Sequence, residues 1–178
     1  MSVQDRQAVV QQLLNKLSST RKAPFRSHAT LLSGERGVGK SRLISQFTQR
    51  AQTQGVSVVE VHCIEGDDRP HGPIIDCLNG LVTHSGQQIS QLPKVSRALT
   101  RLSGLSPQSS RAGLGEALSK GYLAESIRQG VLEVSKFAHM CIIVHDVHKA
   151  EPATQDISTY LLEDLLADSV FEWALTDE

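Results

Sequence analysis

Aromatic residues are scarce in this sequence of 178 amino acids, which contains one tryptophan, two tyrosines and four phenylalanines. Cysteines are also few, and the three present cannot all pair within the chain, which argues against a disulfide-stabilised scaffold. No apolar run approaches the roughly 20 residues that a helix needs to cross a bilayer. The opening segment MSVQDRQAVV lacks the apolar region of a signal peptide. These absences predict a cytoplasmic protein with no membrane partner.

The rest of the composition is ordinary for a globular domain, with 39% hydrophobic residues, 21% charged residues and a formal net charge of −1. The length suffices for one domain with a sizeable core. The charge runs from +6 in residues 1–60 through +1 in residues 61–120 to −8 in residues 121–178. Because the basic residues of the first third are not interleaved with aromatic ones, nucleic-acid binding is not supported by this segment.

Hydrophobic periodicity divides the chain into alternating helices and strands. Helices are predicted over residues 3–18, 40–54, 74–82, 116–138 and 153–167, and strands over residues 28–33, 56–61, 141–144 and 171–175. Residues 85–111 are rich in Ser, Gln and Gly and are interpreted as short helices and loops. The alternation predicts an α/β fold with three layers and a mainly parallel sheet, preceded by an N-terminal amphipathic helix. Residues 1–27 would form this helix and a linker, and residues 28–178 the core.

A glycine-rich motif follows the first predicted strand and opens the next predicted helix. It has the form G-x-x-x-x-G-K-S and reads Gly34-Glu35-Arg36-Gly37-Val38-Gly39-Lys40-Ser41. Glycines let the backbone wrap closely around a phosphate and point successive N–H groups inward. The positive end of the following helix adds to that attraction. We therefore expect these residues, together with Arg42, to bind the phosphate tail of a nucleoside triphosphate.

Two side chains of this motif have distinct predicted roles. The ammonium group of Lys40 would bridge the β- and γ-phosphate oxygens, and the hydroxyl of Ser41 would ligate Mg²⁺. Such sites usually need a carboxylate at the end of a second buried strand. The run Cys141–Val144 is the best candidate for that strand, and Asp146 follows it closely. Asp146 is therefore predicted as the second metal residue, with an exposed turn aspartate as the alternative.

Two segments together resemble the AAA-type ATPase module of STAND-class signal-transduction proteins, which belongs to the P-loop NTPases. One is the phosphate loop with the start of its helix, Ser33–Leu43, and the other is Val144–Thr154. Residues 1–18 are similar to the helix that precedes the loop in that family. The resemblance implies an ATP-binding core with Mg²⁺ that acts as a nucleotide-dependent switch and contacts other protein domains or subunits.

The second segment departs from the family pattern, which has two adjacent acids where this chain has His145 and Asp146. Losing one carboxylate impairs hydrolysis more than binding, because water activation needs a positioned base. His145 is a candidate for that base, and the alternative is a polar residue that only ends the strand. His148 matches the family's histidine and is expected to hydrogen-bond near the site. Hydrolysis is therefore predicted to be weak or absent.

The resemblance also implies features beyond the last predicted strand. Thr176 lies near the family's polar sensor position, and only Asp177 and Glu178 follow it. The core is accordingly expected to be incomplete, without the helical lid subdomain.

Two other functions share the same loop. A small phosphotransferase would need arginines in a lid, and the stretch from residue 111 onward contains only Arg111 and Arg128. A degenerate interaction scaffold that no longer binds nucleotide would not require an intact loop. An ATP-binding regulatory module is the favoured interpretation, and the preference between ATP and GTP stays open because no base-contacting motif is readable.

Overall fold

The computed structural model describes residues 3–22, 28–35, 37–67, 69–103, 113–168 and 172–177. Within these ranges the helices are α1 (Val3–Lys22), α2 (Lys40–Thr53), α3 (Gly72–Ser85), α4 (Pro93–Ser103), α5 (Gly113–Val134) and α6 (Pro152–Asp168). The strands are β1 (His28–Ser33), β2 (Ser57–His62), β3 (Met140–His145) and β4 (Glu172–Asp177). Short 3-10 turns occupy Ile89–Gln91 and Val147–Lys149.

The four strands form one parallel sheet in the order β1-β4-β3-β2. β3 pairs with β4 on one side and with β2 on the other, and its residues Met140–Val144 are all buried. A continuous apolar run of this kind suits a parallel strand that is covered on both faces. The predicted α/β fold with a parallel sheet is confirmed.

Side chains alternate between the two faces of the sheet, and each face packs against its own set of helices. Cys141 and Ile143 of β3 pack with α1 and α2, and we call this side the α2 face. Met140, Ile142 and Val144 pack with α3, α4, α5 and α6, and we call this side the α3 face. Helices on both sides of the sheet produce the three layers that the sequence predicts.

The N-terminal helix α1 is an integral part of the α2 face. Its buried side chains recur at helical spacing, as the amphipathic pattern predicts: Val10, Leu13, Leu14 and Leu17. They share one buried cluster with Leu43 and Phe47 of α2. The division of the chain after residue 27 and the incomplete core both stay predictions.

Several helix ends differ from the sequence prediction, and two of them differ by four residues. α1 continues to Lys22, and α5 stops at Val134. After Val134 the chain tightens into a turn, in which the N–H of Phe137 donates to the carbonyl of Val134 at 3.0 Å. Ala138 still packs against the core of the α3 face, so the apolar periodicity continues beyond the true end of the helix. Phe171 and residues 104–112 lie outside the described residues.

Candidate functional site

The phosphate loop, residues 34–41, connects β1 to α2 as predicted. Gly37 and Gly39 have φ angles of +83° and +100°, in the left-handed region that glycine adopts without a steric penalty. The N–H of Val38 donates to the carbonyl of Glu35 at 3.2 Å and tightens the loop. Gly39 is the N-cap of α2 and brings no side chain to cap it. The first backbone N–H groups of this helix are thus available to an anion. Arg36 lies outside the described residues.

The side chain of Lys40 reaches back across the loop. Its ammonium Nζ donates to the carbonyl of Gly34 and, at 3.4 Å, to the carbonyl of Glu35. The loop carbonyls therefore hold the ammonium group of Lys40 at the loop. A phosphate that enters the loop would meet this ammonium together with the N-terminus of α2. The phosphate-binding role of Lys40 stays a prediction.

A second cation, which the sequence interpretation missed, lies beside the loop. The Nη1 atom of Arg6, on α1, is 3.3 Å from the position that a Cβ on Gly39 would occupy. This contact places a guanidinium next to the glycine that starts α2, where it can add to the attraction for phosphate. The packing of α1 on α2 brings the two together, and no local motif in the sequence marks that contact.

The alternation of side chains along β3 decides which residue faces the phosphate loop. His145 is in phase with Cys141 and Ile143, which belong to the α2 face. Its ring lines an open cavity of about 390 Å³ whose wall also includes Ser41. The structure therefore brings His145 and Ser41, two predicted site residues, to the same cavity.

Asp146, one residue further along the chain, differs from His145 in its backbone conformation and in its contacts. Its φ angle is +56°, a left-handed conformation that aspartate tolerates better than most residues. Its Oδ2 accepts a hydrogen bond from Nζ of Lys149 at 3.0 Å, and that bond is the main reason why its pKa is lowered. Burial raises the pKa of the Cys63 thiol on the α3 face to about 11, and the charge of Asp146 adds to this effect. The cavity wall that contains Ser41 does not include Asp146.

Two further polar residues from β2 line the cavity. Glu60 and His62 follow Val58 along the α2 face, and His62 is the register partner of His145 on β3. Nε2 of His145 lies 3.1 Å from Oε2 of Glu60, and the two imidazole rings stack with their centroids 4.2 Å apart. We call Glu60, His62 and His145 the His–Glu cluster. The alternating pattern of Val58–His62 could have revealed it once the strand pairing was known.

The predicted magnesium ligands fit Mg²⁺ only in part. Mg²⁺ demands oxygen ligands and is usually held by one or two carboxylates together with substrate phosphates. Ser41 lines the cavity, and its hydroxyl is an oxygen ligand of the required kind. The carboxylate of Asp146 is hydrogen-bonded to Lys149 and would have to leave that partner to reach the cavity. His148 is exposed, and of Thr176 only the backbone is described.

A parallel sheet between two helix layers, with a phosphate loop between β1 and α2, defines a nucleotide-binding P-loop module. Comparison with protein families leads to the same class. A family model described as "AAA ATPase domain" matches residues 3–171 of this chain. The chain belongs to that family. A search of curated proteins finds no match.

Among solved structures, one similar chain comes from the structure of Drosophila ORC bound to poly(dA/dT) DNA and Cdc6. The two folds superpose with a TM-score of 0.50 at 14% sequence identity. The match covers 96% of this chain and 24% of the other, so this chain corresponds to about a quarter of that protein. At this identity the similarity supports the fold alone. Among the helices that the structure describes, none has the length and apolar character needed to cross a membrane.

Proposed function

We propose that this chain is an ATP-binding regulatory module of the STAND type, which acts as a nucleotide-dependent switch in signal transduction with weak or absent hydrolysis. The phosphate loop, Lys40 and the N-terminus of α2 bind the triphosphate. Mg²⁺ would arrive with the nucleotide and would be held by the phosphates and the hydroxyl of Ser41, with the carboxylate of Asp146 as a further ligand once it leaves Lys149. ATP and ADP would then favour different arrangements of attached domains or subunits. A cytoplasmic location is part of this proposal.

One observation carries the proposal of weak hydrolysis. At the end of β3, the side chain that shares a cavity with Ser41 is the imidazole of His145, and the carboxylate of Asp146 is hydrogen-bonded to Lys149. Binding would depend mostly on the loop amides and on Lys40, and the geometry of the described loop residues supports this role. Hydrolysis needs in addition a group that activates water and a carboxylate that supports the metal. The phosphate loop therefore favours nucleotide binding, whereas the end of β3 offers little support for hydrolysis.

Equilibrium titration with fluorescent ATP and GTP, each with and without Mg²⁺, tests the binding part. A charge-assisted hydrogen bond contributes about 1.5–3 kcal/mol, so Lys40→Ala is expected to weaken binding by roughly tenfold or more. Lys136→Ala, at an exposed position after α5, is the matched control and is expected to bind like the wild type. Equal binding by the wild type and Lys40→Ala would contradict the site.

Single-turnover hydrolysis of labelled ATP tests the catalytic part. The wild type is expected to turn over far below the ~1 s⁻¹ that marks the lower end of ordinary enzymes. His145→Asp places a carboxylate at the end of β3 on the α2 face and is expected to accelerate hydrolysis. Turnover of ~1 s⁻¹ or faster by the wild type, or no faster hydrolysis by His145→Asp, would contradict the proposal that hydrolysis is weak because this position lacks a carboxylate.

Hydrogen exchange compared between the ATP and ADP states tests the switch, because identical protection patterns in the two states would exclude it.

A further inference from the structure

The His–Glu cluster goes beyond the proposed nucleotide site, because none of its members belongs to the phosphate loop and only His145 is a predicted residue of that site. We infer that Glu60, His62 and His145 bind one divalent transition-metal ion of the zinc class. The site lies at the carboxyl ends of β2 and β3. It forms from this chain alone, and no nucleotide is needed to build it.

The backbone of the sheet fixes where these three side chains start. His62 and His145 are paired in register at the ends of neighbouring parallel strands. Glu60 lies two residues before His62 and therefore on the same face of β2. All three side chains line one cavity on the α2 face. Convergence of this kind is a property of the folded sheet, since Glu60 and His145 are 85 residues apart in sequence.

The distances between the ligand atoms are those of a site that can close around an ion. One ligand atom from each residue lies within 4.8 Å of the other two. Two ligands of a tetrahedral zinc ion, each about 2.1 Å from the metal, lie roughly 3.4 Å apart. The Nε2 atom of His145 and Oε2 of Glu60 are already 3.1 Å apart. The two imidazoles are nearly parallel, with 7° between their planes, and must turn about χ2 to converge on an ion. This torsion is broad for histidine, so the turn costs little.

A further contact orients the carboxylate. The hydroxyl of Thr48, on α2, donates to Oε1 of Glu60 at 2.8 Å, which leaves Oε2 directed at His145. Supporting hydrogen bonds of this kind hold metal ligands in place, and losing one typically weakens metal affinity by about 10–100-fold. Thr48 therefore acts as a positioning residue for the proposed ligand.

The kind of ligand selects the kind of ion. Two imidazoles with one carboxylate suit Zn²⁺, Co²⁺ and similar ions, whereas Mg²⁺ prefers oxygen ligands throughout. Three protein ligands leave a fourth coordination position, as in zinc sites that bind water or substrate. Because all three ligands line the cavity that Ser41 also lines, that position would open to it. A transition-metal ion in this cavity would thus lie close to the phosphate loop while being held by other residues.

Metal titration of the tag-free full-length chain tests this inference, with nucleotide absent throughout. Zn²⁺ is followed by calorimetry and Co²⁺ by its visible absorption. One ion per chain is expected, with Co²⁺ bands typical of four or five ligands. His62→Ala and His145→Ala are each expected to weaken binding by about 100-fold or more, and Thr48→Val by about tenfold. His84→Ala, which removes an exposed histidine in the last turn of α3, is the matched control and is expected to leave binding unchanged.

The outcomes separate this site from the nucleotide site. Lys40→Ala is expected to keep its metal affinity, so loss of nucleotide binding would leave the metal inference intact. No stoichiometric binding by the wild type would mean that the cluster only links β2, β3 and α2, and the inference would be overturned. Stoichiometric binding that persists in both His62→Ala and His145→Ala would overturn it as well. Glu60 and His62 are exposed, and circular dichroism of each variant shows whether a loss of binding reflects a loss of fold.

Discussion

The carboxylate of Asp146 accepts a hydrogen bond from the ammonium of Lys149 at 3.0 Å, across one 3-10 turn at the end of β3. Both side chains are partly buried, with 34% and 29% of their surfaces exposed, so solvent screens the pair incompletely. The bond lowers the pKa of Asp146, and Asp146 does not line the cavity beside Ser41. Any contribution of Asp146 to metal binding therefore competes with Lys149.

This competition predicts opposite effects for two substitutions. Asp146→Asn is expected to reduce the Mg²⁺ dependence of ATP binding by roughly fivefold, which corresponds to about 1 kcal/mol. Lys149→Met frees the carboxylate and is expected to increase that dependence. The dissociation constant of ATP with and without Mg²⁺ gives both values. If both variants keep the wild-type ratio, Asp146 has no role in binding the metal.

The loop glycines predict a measurable backbone effect. Gly37 has a φ of +83°, and nothing lies within 4 Å of the position that a Cβ would occupy. An alanine there would therefore meet no neighbour, but it would have to adopt the unfavourable left-handed backbone conformation. Gly37→Ala is expected to lower the free energy of unfolding by about 1–2 kcal/mol and to weaken ATP binding. Gly121→Ala is the control, because Gly121 lies within α5 in equally open space without a positive φ. That change is expected to stabilise by about 0.5–1 kcal/mol in urea denaturation. Equal effects at both positions would contradict the strained loop.

The sequence was sufficient to predict the layers, the parallel strands and the phosphate loop because each has a local signal. The motif at residues 34–41 and the apolar run at residues 141–144 are continuous in the chain. The strand order β1-β4-β3-β2 has no such signal, because it depends on pairings between distant segments. The same reason hides the contact between Arg6 and Gly39, which requires α1 to pack beside the loop.

The candidate site was predictable in part. The sequence identifies His145 and Asp146 as the residues that end β3, and it favours the aspartate because Mg²⁺ sites use carboxylates. In the folded sheet, alternation places His145 on the α2 face with Ser41. Glu60 and His62 were missed because their relation to His145 depends on the register between β2 and β3. The pairing of β2 with β3 cannot be inferred from a motif within either segment alone.

Because α3 packs closely on β2, we expect substitutions at Gly80 and Val59 to have coupled effects on stability. A Cβ added to Gly80 would lie 2.6 Å from Cγ1 of Val59, whose side chain is buried and branched at Cβ. Gly80→Ala is therefore expected to destabilise by about 1–3 kcal/mol, although alanine favours a helix. Val59→Ala alone leaves a cavity and costs about 2 kcal/mol. In the double variant the new methyl group occupies the vacated space. We expect the double variant to lose less free energy of unfolding than the two single variants together, by about 1 kcal/mol or more in a double-mutant cycle. Additive losses would show that this contact does not limit the packing.

The start of α3 predicts a pH dependence of stability. His71 is 7% exposed and has a φ of +55°. Its backbone N–H donates to Oε1 of Glu151 at 2.7 Å. Burial lowers the pKa of its imidazole, and the nearby charge of Glu151 opposes this shift only in part. Between the lowered pKa and the unfolded value of about 6.5, the unfolded chain binds more protons than the native one. The stability that the neutral ring provides is therefore fully present above pH ~6.5 and is lost as the pH falls through the native pKa.

Urea denaturation at several pH values between 5 and 8 measures this dependence. His71→Asn removes the titrating ring and keeps a residue that tolerates the left-handed backbone, so its stability is expected to vary less over this range. His84→Asn, at an exposed position of α3, is the control and is expected to retain the wild-type slope. The carboxyl groups of Asp67 and Asp146 have lowered pKa values and also destabilise on acidification, but only below pH ~4. A wild-type slope in His71→Asn would assign the dependence to groups other than this buried histidine.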